Sequence, residues 1–160
     1  MTKVMIVSDT HGRNENFMKA FLREAPIDML IHCGDLEGGE YFFDNVAEIP
    51  VHMVSGNNDF FSSLPYEDEF EIEGYKVFLS HGHQYRVSMG PEWIKEEARE
   101  RGADIVMYGH IHRPVLDEDG DIIALNPGSL SYPRQEGKQP TYLIMTIDDK
   151  GNLDFKFRFV

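Results

Sequence analysis

The chain has one cysteine, Cys33, in 160 residues. No internal disulfide framework can form, and the composition suits a reducing compartment. No apolar run approaches the roughly 18 residues needed to cross a membrane. The start, Met1 to Asp9, turns polar too early for a signal peptide. Cations are scarce: 15 Lys and Arg against 28 Asp and Glu leave a formal net charge of −13. Such a surface repels anionic lipid and nucleic-acid backbones, so membrane association is excluded and long nucleic acid is disfavoured as a partner. The chain also lacks internal repeats, low-complexity tracts and linkers. It has no Gly-x-Ser-x-Gly elbow for a serine hydrolase. No Gly-x-Gly-x-x-Gly follows the first apolar run, which removes dinucleotide binding. What is present, 41% hydrophobic and 12% aromatic residues, suffices for one packed domain over residues 1–160, expected in the cytoplasm.

The apolar pattern predicts strand, helix, strand, helix, strand over the first third. Lys3 to Ser8, Asp28 to His32 and Val51 to Ser55 read as buried strands. Asn14 to about Ala25 reads as a helix with Asn14 as its cap and Phe17, Phe21 and Leu22 as its apolar stripe. A second helical piece is expected within Glu37 to Glu48. This alternation implies right-handed parallel crossovers. In such sheets ligands collect beyond the carboxyl ends of the strands. A hairpin over Glu69 to Ser80, a helix from Pro91 to about Arg101, and short strands near Asp104–Tyr108, Val115–Leu116, Ile122–Leu125, Tyr142–Ile147 and Phe155–Val160 follow. The order fits an α/β architecture of four layers, an αββα sandwich of two mixed β-sheets flanked by helices.

The histidines carry the most information. His11, His81, His83, His110 and His112 sit in polar, glycine-rich turns immediately after expected strands, and Asp9, Asp35 and Asn57 occupy equivalent positions. Any one of these alone is an ordinary loop residue. Repetition of nitrogen and oxygen donors at five strand ends, without a thiolate, suits Mn, Fe, Zn, Ni or Co rather than a structural zinc knot. So many candidate ligands exceed the needs of one tetrahedral ion and suit two ions sharing a carboxylate.

Asp9-x-His11, Gly34-Asp35, Gly56-Asn57-x-Asp59, His81-Gly82-His83 and Gly109-His110-x-His112 resemble, in order, the motifs of calcineurin-like metallophosphoesterases. With the late Asn126-Pro127-Gly128-Ser129, they are similar to the small bacterial and archaeal phosphodiesterase branch. The resemblance implies that Asp9, His11 and His112 hold one divalent ion. It implies that Asn57, His81 and His110 hold a second, with Asp35 bridging. Mn²⁺ is the expected metal, with Ni²⁺, Co²⁺, Zn²⁺, Fe or Mg²⁺ as alternatives. The implied activity is hydrolysis of small phosphodiesters or cyclic nucleotides by in-line attack of a metal-bridging hydroxide.

One position departs from that pattern. Asn58 follows the ligand Asn57, where many family members carry a histidine thought to protonate the leaving group. An amide can hydrogen-bond a phosphoryl oxygen but is no general acid. The expectation is therefore weak activity on alkyl monoesters, with Asn58 binding substrate and His83 a substitute proton donor. Arg134 and Ser129 are further substrate-binding candidates in the turn that, by resemblance, approaches the site. A phosphomonoesterase with the same site is one alternative. A non-catalytic, protein-binding scaffold, as in the retromer subunit resembling this branch, is another. Phe155, Phe157 and Phe159 alternate along the last strand and are expected to face the core. An exposed face there would be a candidate homo-oligomer surface.

Overall fold

The computed structural model describes residues 1–160, and it places ten strands in two five-stranded sheets. The first contains β1 (Thr2–Val7), β2 (Met29–His32), β3 (Val51–Met53), β9 (Thr141–Ile147) and β10 (Leu153–Phe159), in the order β10-β9-β1-β2-β3. The second contains β4 (Glu67–Ile72), β5 (Tyr75–Ser80), β6 (Ile105–Met107), β7 (Pro114–Asp117) and β8 (Ile123–Pro127), in the order β4-β5-β6-β8-β7. In each sheet three adjacent strands are parallel: β1, β2 and β3 in one, β5, β6 and β8 in the other. The β9–β10 hairpin joins the first sheet antiparallel beside β1, and β4 and β7 close both edges of the second antiparallel, whereas β3 is a parallel edge.

Alternation along the strands sets the layers, because successive side chains point to opposite faces. Val4 and Ile6 of β1, with Leu143, Met145 and Ile147 of β9, point between the sheets against Val77, Leu79, Ile105, Met107 and Leu125. The intervening Met5, Val7, Tyr142 and Ile144 point outward and meet α1 (Glu15–Glu24) and α2 (Glu40–Asp44) through Phe17, Ala20, Phe21 and Phe43. On the other side Phe78, Val106 and Ala124 are covered by Ile94 and Ala98 of α3 (Glu92–Glu100). The result is the αββα sandwich. No helix is long and apolar enough to cross a membrane.

Four local expectations need correction. The helix expected within Glu37 to Glu48 shortens to the five residues of α2. Gly38 and Gly39 take left-handed φ of 89° and 90° before it, so the chain turns where a longer helix would have begun. Asn14 occupies the cap position of α1 but makes no side-chain cap bond. Leu22 is exposed, and Ala20 takes its place beside Phe17 and Phe21 in the buried stripe. Of the three phenylalanines of β10, Phe155 and Phe157 pack on the inter-sheet core, while Phe159 at the strand end is exposed.

The last residue of α1, Glu24, is the one buried carboxylate far from the strand-end loops. Lys3 Nζ and Arg158 Nε each lie 3.1 Å from its oxygens, and the Tyr142 hydroxyl donates to Oε1 at 2.9 Å. Burial alone would raise its pKa. The bonds from Tyr142 and Lys3 and the charge of Arg158 outweigh burial and hold the carboxyl below its ordinary value. A folded-state pKa below the unfolded one stabilises the fold at higher pH, and that contribution disappears as pH falls through the carboxylate range. Glu24→Gln is therefore expected to lower the unfolding free energy by about 1–3 kcal/mol at pH 7. In urea titrations the gap between variant and wild type should close as pH falls toward 3.

Candidate metal centre

The parallel strands of both sheets end on one edge of the sandwich, and their loops converge there. Asp9 and His11 follow β1, Asp35 follows β2, and Asn57 and Asn58 follow β3. His81 and His83 follow β5, and His110 and His112 follow β6. Asp9, His11, Asp35, His110 and His112 all adopt positive φ, between 48° and 75°. A left-handed conformation costs a residue with a side chain about 1–2 kcal/mol, and it persists only where surroundings enforce it. Bonds between loops do so here: Asp9 N–H donates to Gly34 O and His11 N–H to Asp35 O, both at 3.0 Å.

Asp59 ties the loops together. Its Oδ2 accepts from the N–H groups of Asp35 at 2.8 Å, Leu36 at 3.3 Å and Gly56 at 2.8 Å, and its Oδ1 from Glu37 N–H at 2.7 Å. Gly56 must be glycine for a steric reason. A Cβ there would lie 2.5 Å from the Asp35 amide nitrogen and collide with its Oδ1.

The histidine tautomers follow from their partners. Nδ1 of His81 contacts the carbonyl of Cys33 at 2.8 Å, and Nδ1 of His112 that of Tyr132 at 2.7 Å. A carbonyl only accepts, so both Nδ1 atoms carry hydrogen and donate. His11 Nδ1 donates likewise to the Glu37 carboxylate at 2.8 Å. In the neutral rings this leaves the Nε2 lone pairs free, and all three point at the carboxylates. His112 Nε2 is 3.2 Å and His11 Nε2 3.7 Å from Asp9 Oδ1. His11 Nε2 and His81 Nε2 lie 3.6 Å and 3.4 Å from Asp35 Oδ2. Donor atoms of Asp9, His11 and His112 fall within 4.8 Å of one another, as do those of Asp9, Asp35 and His81. His110 Nδ1 lies 3.1 Å from Asn57 Oδ1, and its ring stands edge-on to His81 with centroids 5.2 Å apart.

The arrangement fits divalent cations. Asp9 Oδ1 and His81 Nε2 are buried without any hydrogen-bond partner, a costly condition that a coordinated cation relieves. The donors are imidazole and carboxylate, and the one thiol, Cys33, is buried with its pKa pushed up, so no thiolate competes. Around His11 burial opposes charge, but the Asp9 and Glu37 carboxylates prevail and push its pKa up to about 9. Burial raises Asp35, but the neighbouring His81 and the two bonds from Asn58 bring it down to about 2. Asp9, facing the same histidines, is held well below the carboxylate range. The pocket is an anionic cradle that attracts positive charge.

The remaining candidates fall into different places. Asn58 N–H donates to Asp35 Oδ1 and its Nδ2–H to Oδ2, both at 2.9 Å, so backbone and side chain of one residue hold both carboxylate oxygens. The His83 ring is 5.5 Å from that of His81 and 6.1 Å from that of His110. Arg134 anchors its loop through its N–H to His112 O at 2.9 Å, and its side chain lines an open cleft with His11, His112 and Tyr132. Ser129 does not present its hydroxyl to a substrate. It is fully buried, its Oγ donates to Asp9 O at 2.8 Å and accepts from Ser131 and Tyr132 N–H, and it thereby fastens the Asp9 loop.

Sequence reasoning missed Glu37, the partner of His11, and the unifying role of Asp59, although Asp59 stood inside a quoted motif. His32, at the end of β2, supports the site from beneath. His32 is fully buried, burial holds its pKa down to about 3, and it accepts from Gly34 N–H through Nδ1 while Nε2 contacts Thr10 Oγ1 at 2.9 Å.

Residues 2–150 match the model of the calcineurin-like phosphoesterase superfamily domain. The chain belongs to that superfamily. It is 33% identical to a probable metallophosphoesterase of Mycoplasma pneumoniae over 99% of this chain and 98% of the relative. It is 38% identical to the phosphodiesterase YfcE of Escherichia coli over 84% of this chain and 82% of YfcE. Among solved structures, a predicted phosphoesterase of Streptococcus pneumoniae superposes with a TM-score of 0.85 at 28% identity, covering 99% of this chain and 89% of that one. Zinc-complexed Vps29 of Entamoeba histolytica shares the fold, with a TM-score of 0.79 at 23% identity over 99% of both chains.

Residues that orient metal-binding histidines typically change affinity about 10–100-fold when removed. Glu37→Ala is expected to weaken Mn²⁺ binding by about that factor, measured by calorimetric titration of chelator-treated protein, with an unchanged far-UV circular dichroism spectrum.

Proposed function

We propose that this metallophosphoesterase is a metal-dependent phosphodiesterase of small substrates, working at a two-ion centre. The observation that carries the reading is the convergence of three histidine Nε2 atoms, each set by an Nδ1 bond, on the carboxylates of Asp9 and Asp35. In this reading Asp9, His11 and His112 hold one ion. Asn57, His81 and His110 hold the other, and Asp35, reached by both His11 and His81, serves both. Bound divalent ions supply Lewis acidity toward the phosphoryl oxygens and a water nucleophile available near neutral pH.

The chain's own residues then account for the preference among esters. Asn58 keeps Asp35 in place through two bonds and offers no proton to a departing oxygen. General-acid help is typically worth about 10²–10⁴-fold, so leaving groups that depart without a proton are favoured. That describes aryl diesters better than alkyl monoesters. His83, beside His81 and His110, is the group we assign as proton donor where one is needed. Arg134, in the cleft beside His112, is the cation we assign to a phosphoryl oxygen or a charged substituent. The name of YfcE supports the diester reading. The Vps29 fold likeness supports no activity either way, and the filled donor set supports the enzyme reading.

Protein stripped of metal should hydrolyse neither bis(p-nitrophenyl) phosphate nor p-nitrophenyl phosphate. Adding Mn²⁺ back is expected to restore turnover, with the diester favoured at least tenfold. Preference for the monoester would replace this reading with a phosphomonoesterase. Silence with Mn²⁺, Ni²⁺, Co²⁺ and Zn²⁺ alike would favour the scaffold.

A further inference from the structure

The loop that carries Asn57 and Asn58 continues into Phe60 and Phe61. These side chains are 79% and 104% exposed, and neither joins a hydrophobic cluster of the fold. Leaving two phenylalanines in water forgoes the free energy their burial would supply, so the fold does not explain their presence. Both line a cleft of about 470 Å³ together with Glu37, Glu40, Asn58 and Asp59. Two of those residues touch the metal centre: Asn58 donates to Asp35, and Glu37 accepts from His11. The cleft therefore opens directly beside the site where a phosphate would be held.

Its chemistry restricts what enters. The Asp59 carboxylate is occupied by four backbone N–H groups. Glu37 and Glu40 remain at the rim and repel a second phosphate. Apolar aromatic faces with acidic neighbours suit a flat, uncharged ring system, and bases stack on such faces without regard to their identity. A second cleft of about 480 Å³ is lined by His11 and His112, and Glu37 borders it as well. It carries Arg134 and Tyr132, over whose ring the Arg13 guanidinium sits at 5.2 Å. The cleft of Phe60 and Phe61 thus carries no cation, and Arg134 belongs to the other one.

We infer that Phe60 and Phe61 form a stacking platform for a nucleobase attached to the phosphate held at the metal centre, so that the substrates are small nucleotide esters. The assignment rests on the phosphodiesterase reading above, but its test does not depend on turnover.

Adenosine 5′-monophosphate and ribose 5-phosphate share sugar and phosphate and differ in the base. Calorimetric titration of each into Mn²⁺-loaded protein is expected to show the nucleotide binding about 10–100-fold more tightly, the range that base–aromatic stacking supplies. In the double variant Phe60→Ala/Phe61→Ala that difference should collapse to within about twofold, while ribose 5-phosphate binds as in the wild type. Both side chains are exposed, so the thermal midpoint should not fall and loss of fold is separable from loss of the platform. Equal binding of the two ligands by the wild type, or a difference that survives in the double variant, would overturn the inference. The same preparations report on bis(p-nitrophenyl) phosphate hydrolysis. If that is absent while the base-dependent difference collapses as expected, the platform stands and the diesterase reading falls.

Discussion

Two carboxylates, Asp9 and Asp35, are buried where the two sheets meet, within reach of three imidazoles. Removing such charges from water is expensive unless a cation compensates them. Much of the surrounding structure offsets that cost. The Ser8 hydroxyl and His110 N–H donate to Asp9 Oδ2, Asn58 donates twice to Asp35, and carbonyls of Cys33 and Tyr132 orient two of the histidines. Asp9 Oδ1 is left without a bond, and that deficit makes the pocket a cation site rather than a satisfied polar core.

The same constraint accounts for the strained backbone. Donors from separate strand ends reach one point only if the chain turns sharply after each strand, which pushes five candidate ligands into left-handed φ. Bonds between neighbouring loops and the four N–H groups gathered by Asp59 hold them there. The sandwich supplies a rigid frame: β1, β2 and β3 on one side and β5, β6 and β8 on the other all present their carboxyl ends to this edge.

Strand positions were legible because buried parallel strands read as short apolar runs, and the donor residues because they recur immediately after those runs. Features that depend on the path of the chain between elements were not. Nothing local in Glu37 marks it as the partner of His11, since that contact arises only when the loop after β2 folds back across the loop after β1. Ser129 resembles a substrate contact in sequence, yet it lies beneath the Asp9 loop, where its hydroxyl is consumed by backbone groups. The shortening of α2 follows from two consecutive left-handed glycines, whose φ values composition does not dictate. Phe60 and Phe61 would ordinarily be assigned to a core, and only the three-dimensional arrangement leaves them on the rim of the metal centre.

The central claim is that the buried carboxylates and histidines form a cation-binding centre. Anomalous diffraction at the manganese edge, from crystals grown with Mn²⁺, tests it most directly. The account predicts strong anomalous density in contact with Asp9 and Asp35, bounded by His11, His81 and His112, and a second peak toward Asn57 and His110. Mn²⁺ located only on the acidic outer surface, with the Asp9 and Asp35 pocket free of anomalous density, would contradict it.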